Sequence, residues 1–301
     1  MKTAVIYDDI FLKHDLPTHP ENALRLKYFM EPVWEMEIPV LKPKQVSYAL
    51  LRAVHSENYI TDVIISCREN APGFFDPDTY YNSYTCDAAL MAAGANEMGV
   101  ELLLSGEYEA VFCAVRPPGH HAEKDRAMGF CIFNNVAVAA VKVLSMGIEK
   151  VFIVDFDAHH GNGTEHIFYN EPRVFYFSTH QYPFYPGTGS EKENNEHVLN
   201  VPMREGSGDA EFKSVYSGIF REAVREFKPQ IILVSAGYDL HRDDPLTGLE
   251  VTDDGVEFII REIVDAGREL SAPLLFTLEG GYNLNALKRC SERTFKTLLE
   301  Y

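Results

Sequence analysis

Short apolar segments rich in β-branched residues alternate with longer segments of helical periodicity along this 301-residue chain. Alternation of this kind is typical of a mostly parallel sheet with helices on both faces. The predicted strands are residues 3–7, 110–115, 150–154, 173–177, 230–234 and 273–278. The predicted helices are residues 87–104, 134–146, 210–227, 253–270 and 283–299. Because no repeat or linker-like change in composition divides the chain, we expect a single α/β domain over residues 1–301.

The composition argues against several classes of protein. Lysine and arginine number 27 against 45 aspartate and glutamate, and the net charge of −18 disfavours direct binding of nucleic acid. The five cysteines are scattered without a Cys-x-x-Cys pair, so neither a disulfide framework nor a structural zinc cluster is expected. No apolar run approaches the roughly 18 residues of a membrane span. We therefore expect a soluble cytoplasmic protein with no membrane partner, and the sequence leaves its oligomeric state open.

Polar, glycine-containing segments follow four of the predicted strands. Ligands of open parallel sheets bind beyond the carboxyl ends of the strands, so we expect these four segments to meet at one edge of the sheet. The segments are residues 116–121 (RPPGHH), 155–160 (DFDAHH), 235–239 (SAGYD) and 279–282 (EGGY).

The second of these segments predicts a metal site. Asp157 and His159 alternate at a strand end and therefore lie on one face. A carboxylate and a neutral imidazole suit zinc or another divalent first-row metal. Asp239, after a bend of small residues, is the predicted third ligand, and this set leaves room for water and substrate. His241 is a further candidate ligand.

The neighbouring positions favour one metal ion per chain. A related two-metal hydrolase would need a further carboxylate, for example two residues beyond His159, where this chain has Gly161. Asp155 shares the face of Asp157 and is predicted to orient an imidazole rather than to bind the metal.

His120 and His121 follow a rigid Pro-Pro-Gly, which fixes where the two imidazoles are presented. One imidazole can accept a proton from the attacking water while the other stays protonated. Asp155 and Asn162 are the predicted partners of this pair, and a carboxylate raises the pKa of an imidazole more than an amide does. Which histidine acts as the base remains open.

Aromatic residues are predicted to contribute to the same site. Tyr282 follows a flexible Glu-Gly-Gly corner and can donate a hydrogen bond to a developing oxyanion. Phe130, beside Gly129, and Tyr185 can form the walls of a narrow tunnel, although packing in the core is the alternative for each aromatic side chain.

Seven motifs occur together over nearly the whole chain. They are HPE at 19–21 with Arg25, RPPGHHA at 116–122, GFCIFNN at 129–135, DFDAHHGNGT at 155–164, PGTG at 186–189, SAGYD at 235–239 and EGGYN at 279–283. In this set and order the chain resembles the histone deacetylase family, which also includes acetylpolyamine amidohydrolases and acetoin-utilisation proteins.

The resemblance implies an arginase-like α/β fold and zinc-dependent hydrolysis of an N-acetyl amide. It implies that zinc is bound by Asp157, His159 and Asp239. His120 and His121 would act as general base and as electrostatic or acid catalyst, and Tyr282 would polarise the acetyl carbonyl. The remaining implied roles are tunnel walls for Phe130 and Tyr185, acetate release for Arg25, and a structural potassium ion at Asp155, Asp157, His159 and Ser178.

Several positions bear on the branch of the family and on the substrate. Asn162 and the Arg-Pro-Pro-Gly motif resemble the class II branch. Leu246 stands where polyamine-selective relatives carry a glutamate, which disfavours small polyamines. Asp76 or Asp78 stands where relatives bind the substrate backbone, and the sequence does not choose between them.

We therefore predict a zinc-dependent deacetylase that releases acetate from acetyl-lysine in a protein or peptide, or from a related acylated amine. The alternatives are an amidohydrolase of acetylpolyamines or other small molecules and a non-catalytic protein that binds acetyl groups. An arginase-like two-metal ureohydrolase is disfavoured by Gly161.

Overall fold

Eight parallel strands form one sheet in the computed structural model, which describes residues 1–301. The strand order is β2-β1-β5-β10-β9-β6-β7-β8, and β3 and β4 form a separate antiparallel pair. The strands are β1 (Thr3–Ile6), β2 (Val40–Leu41), β3 (Gly73–Phe74), β4 (Tyr80–Tyr81), β5 (Ala110–Cys113), β6 (Val151–Asp155), β7 (Val174–Gln181), β8 (Val198–Met203), β9 (Ile231–Ala236) and β10 (Leu274–Leu278).

Ten α-helices surround the sheet. They are α1 (Ala23–Glu35), α2 (Tyr48–Val54), α3 (Glu57–Glu69), α4 (Thr85–Leu104), α5 (Asn135–Ser145), α6 (Asn162–Phe168), α7 (Asp209–Val215), α8 (Arg221–Phe227), α9 (Asp253–Leu270) and α10 (Leu284–Glu300). Short 3₁₀ segments cover residues 9–12 and 191–193.

The predicted fold class is confirmed: the chain is a single α/β domain, and all six predicted strands are present. The sequence analysis missed the two edge strands. β2 has only two residues, and β8 contains Pro202, a residue that sheets tolerate mainly at edges. It also missed α1–α3 and α6.

The predicted helix over residues 210–227 is divided in the structure. α7 and α8 are separated by a π-helical turn over Tyr216–Phe220, in which Gly218 has non-helical dihedral angles of φ −105° and ψ −105°. Glycine adopts such angles without a steric penalty. The apolar residues therefore keep a helical spacing over residues 210–227, although the α-helical backbone is interrupted at Gly218.

Helices cover both faces of the sheet. Phe112 on β5 packs against Phe29 of α1 and Phe295 of α10. Its strand neighbours Val111 and Cys113 project from the opposite face, toward α4. The central strands are consequently buried along their whole length, as their uninterrupted apolar sequences require.

All five cysteines are buried, and none forms a disulfide bond in the structure. No helix in this fold combines the length and the apolar character needed to cross a membrane.

Candidate active site

The four polar segments predicted to converge follow β5, β6, β9 and β10. These four strands are adjacent in the sheet, in the order β5-β10-β9-β6, and all run parallel. Their carboxyl ends therefore lie side by side. This topology brings the predicted histidine pair, metal ligands and tyrosine corner to one edge of the sheet.

Asp157, His159 and Asp239 offer ligand atoms that all lie within 4.8 Å of one another. The Nδ1 of His159 lies 3.1 Å from an oxygen of Asp157 and 2.9 Å from an oxygen of Asp239. Backbone N–H groups hold the carboxylates: Gly280 donates to Asp157 and Ala158 donates to Asp239, each at 2.8 Å. The two carboxylates are fully enclosed, and His159 is 13% exposed. The cluster is therefore open on the imidazole side.

This cluster fits a divalent cation. Burial and the charge of Asp157 raise the pKa of Asp239, so the two carboxylates disfavour each other's ionised form. A bound cation would relieve that repulsion. Glycines leave the necessary space, because a Cβ at Gly237 would overlap Asp157, and one at Gly280 would overlap the carboxylates of Asp157 and Asp239. Two carboxylate oxygens and one imidazole nitrogen form a donor set suited to zinc.

The rings of His120 and His121 lie close together, with centroids 4.0 Å apart and planes tilted by 44°, and both are buried. Their partners differ. The Nδ1 of His120 lies 3.1 Å from a carboxylate oxygen of Asp155, whereas the Nδ1 of His121 lies 2.8 Å from the amide oxygen of Asn162. These are the two partners predicted from the sequence.

The different partners separate the proton affinities of the pair. Burial opposes the charge on His120, but Asp157 and Asp155 outweigh it and raise the pKa of His120 to about 10. Burial and the neighbouring imidazoles His120 and His159 lower the pKa of His121 well below its ordinary value. The site therefore favours a protonated His120 beside a neutral His121.

Gly161 lies directly against this pair. A Cβ at position 161 would overlap Asp155 and crowd the Tyr176 hydroxyl and the His120 ring. The side chain of an aspartate or glutamate consequently has no room at this position.

Two charged residues hold the Tyr282 corner. Arg25 donates to the carbonyl oxygens of Glu279 and Gly281, each at 2.6 Å, and its guanidinium lies 4.8 Å from the Tyr282 ring centroid. Asp244 accepts from the backbone N–H of Tyr282 at 2.6 Å. Burial raises the pKa of Tyr282 far above its ordinary value, so the phenol keeps its proton.

The tunnel residues approach from separate loops. Phe130, at φ 69°, meets the Tyr282 ring edge-on at 5.8 Å, and Tyr185, 39% exposed, meets the His121 ring edge-on at 5.3 Å. Gly129 lies against the His121 ring, where a Cβ would overlap it. Leu246 is half-buried, and its N–H donates to Asp244.

The structure does not place His241 with the metal cluster. Its Nε2 lies 3.0 Å from Asp253, and its Nδ1 accepts from the N–H of Asp243 at 3.1 Å. Both ring nitrogens are therefore used outside the site, so the suggestion that His241 is an extra ligand was wrong. Ser178 pairs in register with Asp155, and its hydroxyl contacts His180 at 2.8 Å.

The sequence analysis missed three carboxylates that position site residues. Glu279 accepts from the N–H groups of Gly119 at 2.7 Å and His120 at 3.2 Å, and so holds the histidine loop. Asp244 holds Tyr282, and Glu123 contacts Asn162 at 2.9 Å. The only signal available was their position inside or beside the glycine-marked segments.

A family model described as the histone deacetylase domain matches residues 19–298. A probable deacetylase of Archaeoglobus fulgidus is 39% identical over 94% of this chain and 82% of its own length. Histone deacetylase 14, chloroplastic, of Arabidopsis thaliana is 40% identical over 96% of this chain and 74% of its own length. The crystal structure of the HDA15 HD domain matches with a TM-score of 0.93 and 33% identity, over 99% of this chain and 91% of that one. The chain therefore belongs to the histone deacetylase family and is a hydrolase of the deacetylase type.

Proposed function

We propose that this deacetylase is zinc-dependent and acts on the N-acetyl amide of acetyl-lysine in a protein or peptide, releasing acetate and the free amine. The observation that carries the proposal is the close approach of Asp157, His159 and Asp239 beside a histidine pair with two different partners. Zinc bound by these three residues would supply Lewis-acid polarisation of the acetyl carbonyl. Asp155, Asp157, His159 and Ser178 remain the proposed site of a structural potassium ion.

His121 is the proposed general base. Because its partner Asn162 is a neutral amide, the His121 ring stays neutral and can take a proton from the attacking water. His120, paired with Asp155, keeps its proton and stabilises negative charge in the transition state. As the carbon–nitrogen bond breaks, His121 returns the proton to the leaving amine.

Tyr282 is the proposed donor to the oxyanion that forms when water attacks the carbonyl carbon. Its neutral phenol can donate one hydrogen bond, and Asp244 and Arg25 hold its backbone in place. Arg25 donates hydrogen bonds to protein partners through Nε, Nη1 and Nη2. Its proposed part in acetate release would therefore be exerted from within this network.

The substrate channel supports an acyl-lysine over a polyamine. Leu246 places an apolar side chain where a carboxylate would attract a second amine. Between the two aspartates left open by the sequence, Asp76 is used in a turn, since its side chain accepts from the N–H groups of Asp78 and Thr79. Asp78 is exposed, so we propose Asp78 as the contact for the substrate backbone. Cytoplasmic location stays a prediction.

The test is acetate release by zinc-loaded protein from a panel of acetyl-lysine peptides and acetylpolyamines. We expect peptide turnover, and we expect Tyr282→Phe to lower kcat by about 100-fold with little change in KM, as loss of an oxyanion donor does. Tyr84→Phe, at an exposed tyrosine, is the matched control. Acetate release from neither substrate class would refute the proposal and favour a non-catalytic acetyl binder, whereas selective polyamine turnover would refute the substrate assignment.

A further inference from the structure

A chain of polar contacts leads from His121 to the protein surface. The Nδ1 of His121 lies 2.8 Å from the amide oxygen of Asn162, and the amide nitrogen of Asn162 donates to Glu123 at 2.9 Å. Glu123 is 19% exposed and lines a surface cavity with His166. We propose that Glu123 is a positioning residue that sets the amide orientation of Asn162 and, through it, the tautomer of His121.

Hydrogen-bond donors and acceptors along this chain of contacts fix the orientation of the Asn162 amide. An ionised carboxylate has no O–H group and only accepts hydrogen bonds, so the nitrogen of the Asn162 amide must face Glu123. The amide oxygen then faces His121 and also only accepts. His121 must therefore carry its proton on Nδ1, which leaves the lone pair of Nε2 directed away from Asn162 and free to accept a proton.

Glu123 is itself held firmly enough to impose this orientation. Arg126 donates to the carboxylate at 2.9 Å, and the N–H of Glu123 donates to the carbonyl oxygen of Arg126 at 3.0 Å. His55 donates to the carbonyl oxygen of Glu123 at 2.9 Å. The backbone is thus fixed on both sides, and the side chain is aimed at Asn162.

Without the Glu123 carboxylate, the Asn162 amide is free to rotate by about 180°, which exchanges the positions of its oxygen and nitrogen. Its nitrogen would then face His121, whose Nδ1 would have to accept, and the proton would move to Nε2. That tautomer cannot act as the base at Nε2. The arrangement also differs from that of His120, which contacts the Asp155 carboxylate directly. An intervening amide orients His121 without placing a full negative charge against its ring, so its proton affinity stays low.

The test compares histidine tautomers and kinetics in zinc-loaded wild type, Glu123→Gln and Glu123→Leu. Nitrogen-15 NMR of histidine-labelled protein reports which ring nitrogen bears the proton, and the His121 signals are identified by their loss in His121→Gln. We expect an Nδ1–H tautomer in wild type, a mixture in Glu123→Gln and mainly Nε2–H in Glu123→Leu. The kinetic role rests on the proposed function: kcat should fall about tenfold in Glu123→Leu, less in Glu123→Gln, with KM within about twofold.

Asp125→Asn is the matched control, because it removes one negative charge from an exposed residue of the same loop. It should leave the tautomer and kcat unchanged. A wild-type tautomer in Glu123→Gln and Glu123→Leu, or an equal change in Asp125→Asn, would overturn the inference, and so would a changed tautomer without a fall in kcat. Should Glu123→Leu fail to fold, Glu123→Gln still decides. If wild type releases no acetate, the proposed function fails while the tautomer comparison still tests the contact chain.

Discussion

Glycines determine how closely the site residues approach one another. Gly237, Gly280 and Gly161 lie where a single Cβ would overlap the carboxylate of Asp157, Asp239 or Asp155. The sequence marked all three positions as parts of polar strand ends, but a sequence contains no distances. Only the structure shows that glycine is required at these positions, because the aspartate carboxylates pack directly against the backbone there.

Gly280→Ala should weaken metal binding. The added methyl group would overlap both carboxylate ligands and displace them, and we expect the affinity for zinc to fall by at least about tenfold. Competition with a chromophoric chelator measures this affinity directly. Ser214→Ala, at an exposed residue of α7, is the control and should bind zinc as wild type does. Equal affinities in the three proteins would contradict the proposed ligand set.

Among the elements, the loop after β9 and the loop after β10 are joined by one buried carboxylate. Asp244 accepts from Leu246 in its own loop and from Tyr282 across the gap, at 2.9 and 2.6 Å. Leu246 and the proposed oxyanion donor, Tyr282, are thereby held by the same side chain. Burial raises the pKa of Asp244, and the backbone donors and Arg25 oppose that rise.

Asp244→Asn should therefore impair catalysis rather than substrate binding. The amide keeps one acceptor oxygen but turns an NH2 group toward a backbone donor, so one of the contacts to the loops is lost. We expect kcat to fall about tenfold while KM changes less than about threefold, measured as acetate release from an acetyl-lysine peptide. Asp243→Asn, at the neighbouring and more exposed carboxylate, should change kcat little. A similar fall in both variants would assign the effect to surface charge.

Local sequence patterns identified most of the secondary structure but not the neighbours of each strand. The six predicted strands were found because buried parallel strands are continuous apolar runs, and two predicted helix starts at residues 134 and 283 prove to be asparagine caps. No local sequence pattern indicates which strands are neighbours in the sheet. The site nevertheless depends on β5, β10, β9 and β6 being adjacent. Asp244 and Glu279 could not be assigned, because their partners are backbone N–H groups.

At the scale of the whole molecule, buried charges connect the amino-terminal helix to the site. Glu21 contacts Arg25 and Arg116, and all three side chains are enclosed. Burial opposes the charge on Glu21, but Arg116 and Arg25 outweigh it and lower the pKa of Glu21 to about 2. Because that carboxylate is ionised across the physiological pH range, Arg25 keeps its ion pair with Glu21 beside the Tyr282 corner throughout that range.

A buried neutral histidine, His55, is expected to make the folded protein less stable in mild acid. His55 is fully buried; its Nδ1 donates to the carbonyl oxygen of Glu123, and its Nε2 accepts from the N–H of Asn134, each at 2.9 Å. Protonation of Nε2 would break the second bond. Burial accordingly lowers the pKa of His55 to about 4, from 6.5 in the unfolded chain.

The difference between the folded and unfolded pKa of His55 determines how the free energy of unfolding changes with pH. Since the folded pKa lies below the unfolded one, the stabilisation from His55 is complete above pH 6.5 and is lost as the pH falls toward 4, by about 3 kcal/mol in total. Urea unfolding between pH 7.5 and 4.5 should give a shallower loss of unfolding free energy for His55→Gln than for wild type. His166→Gln removes an exposed imidazole and serves as the matched comparison. The prediction fails if wild type and His55→Gln lose stability in parallel, because the proton uptake on unfolding would then come from other groups.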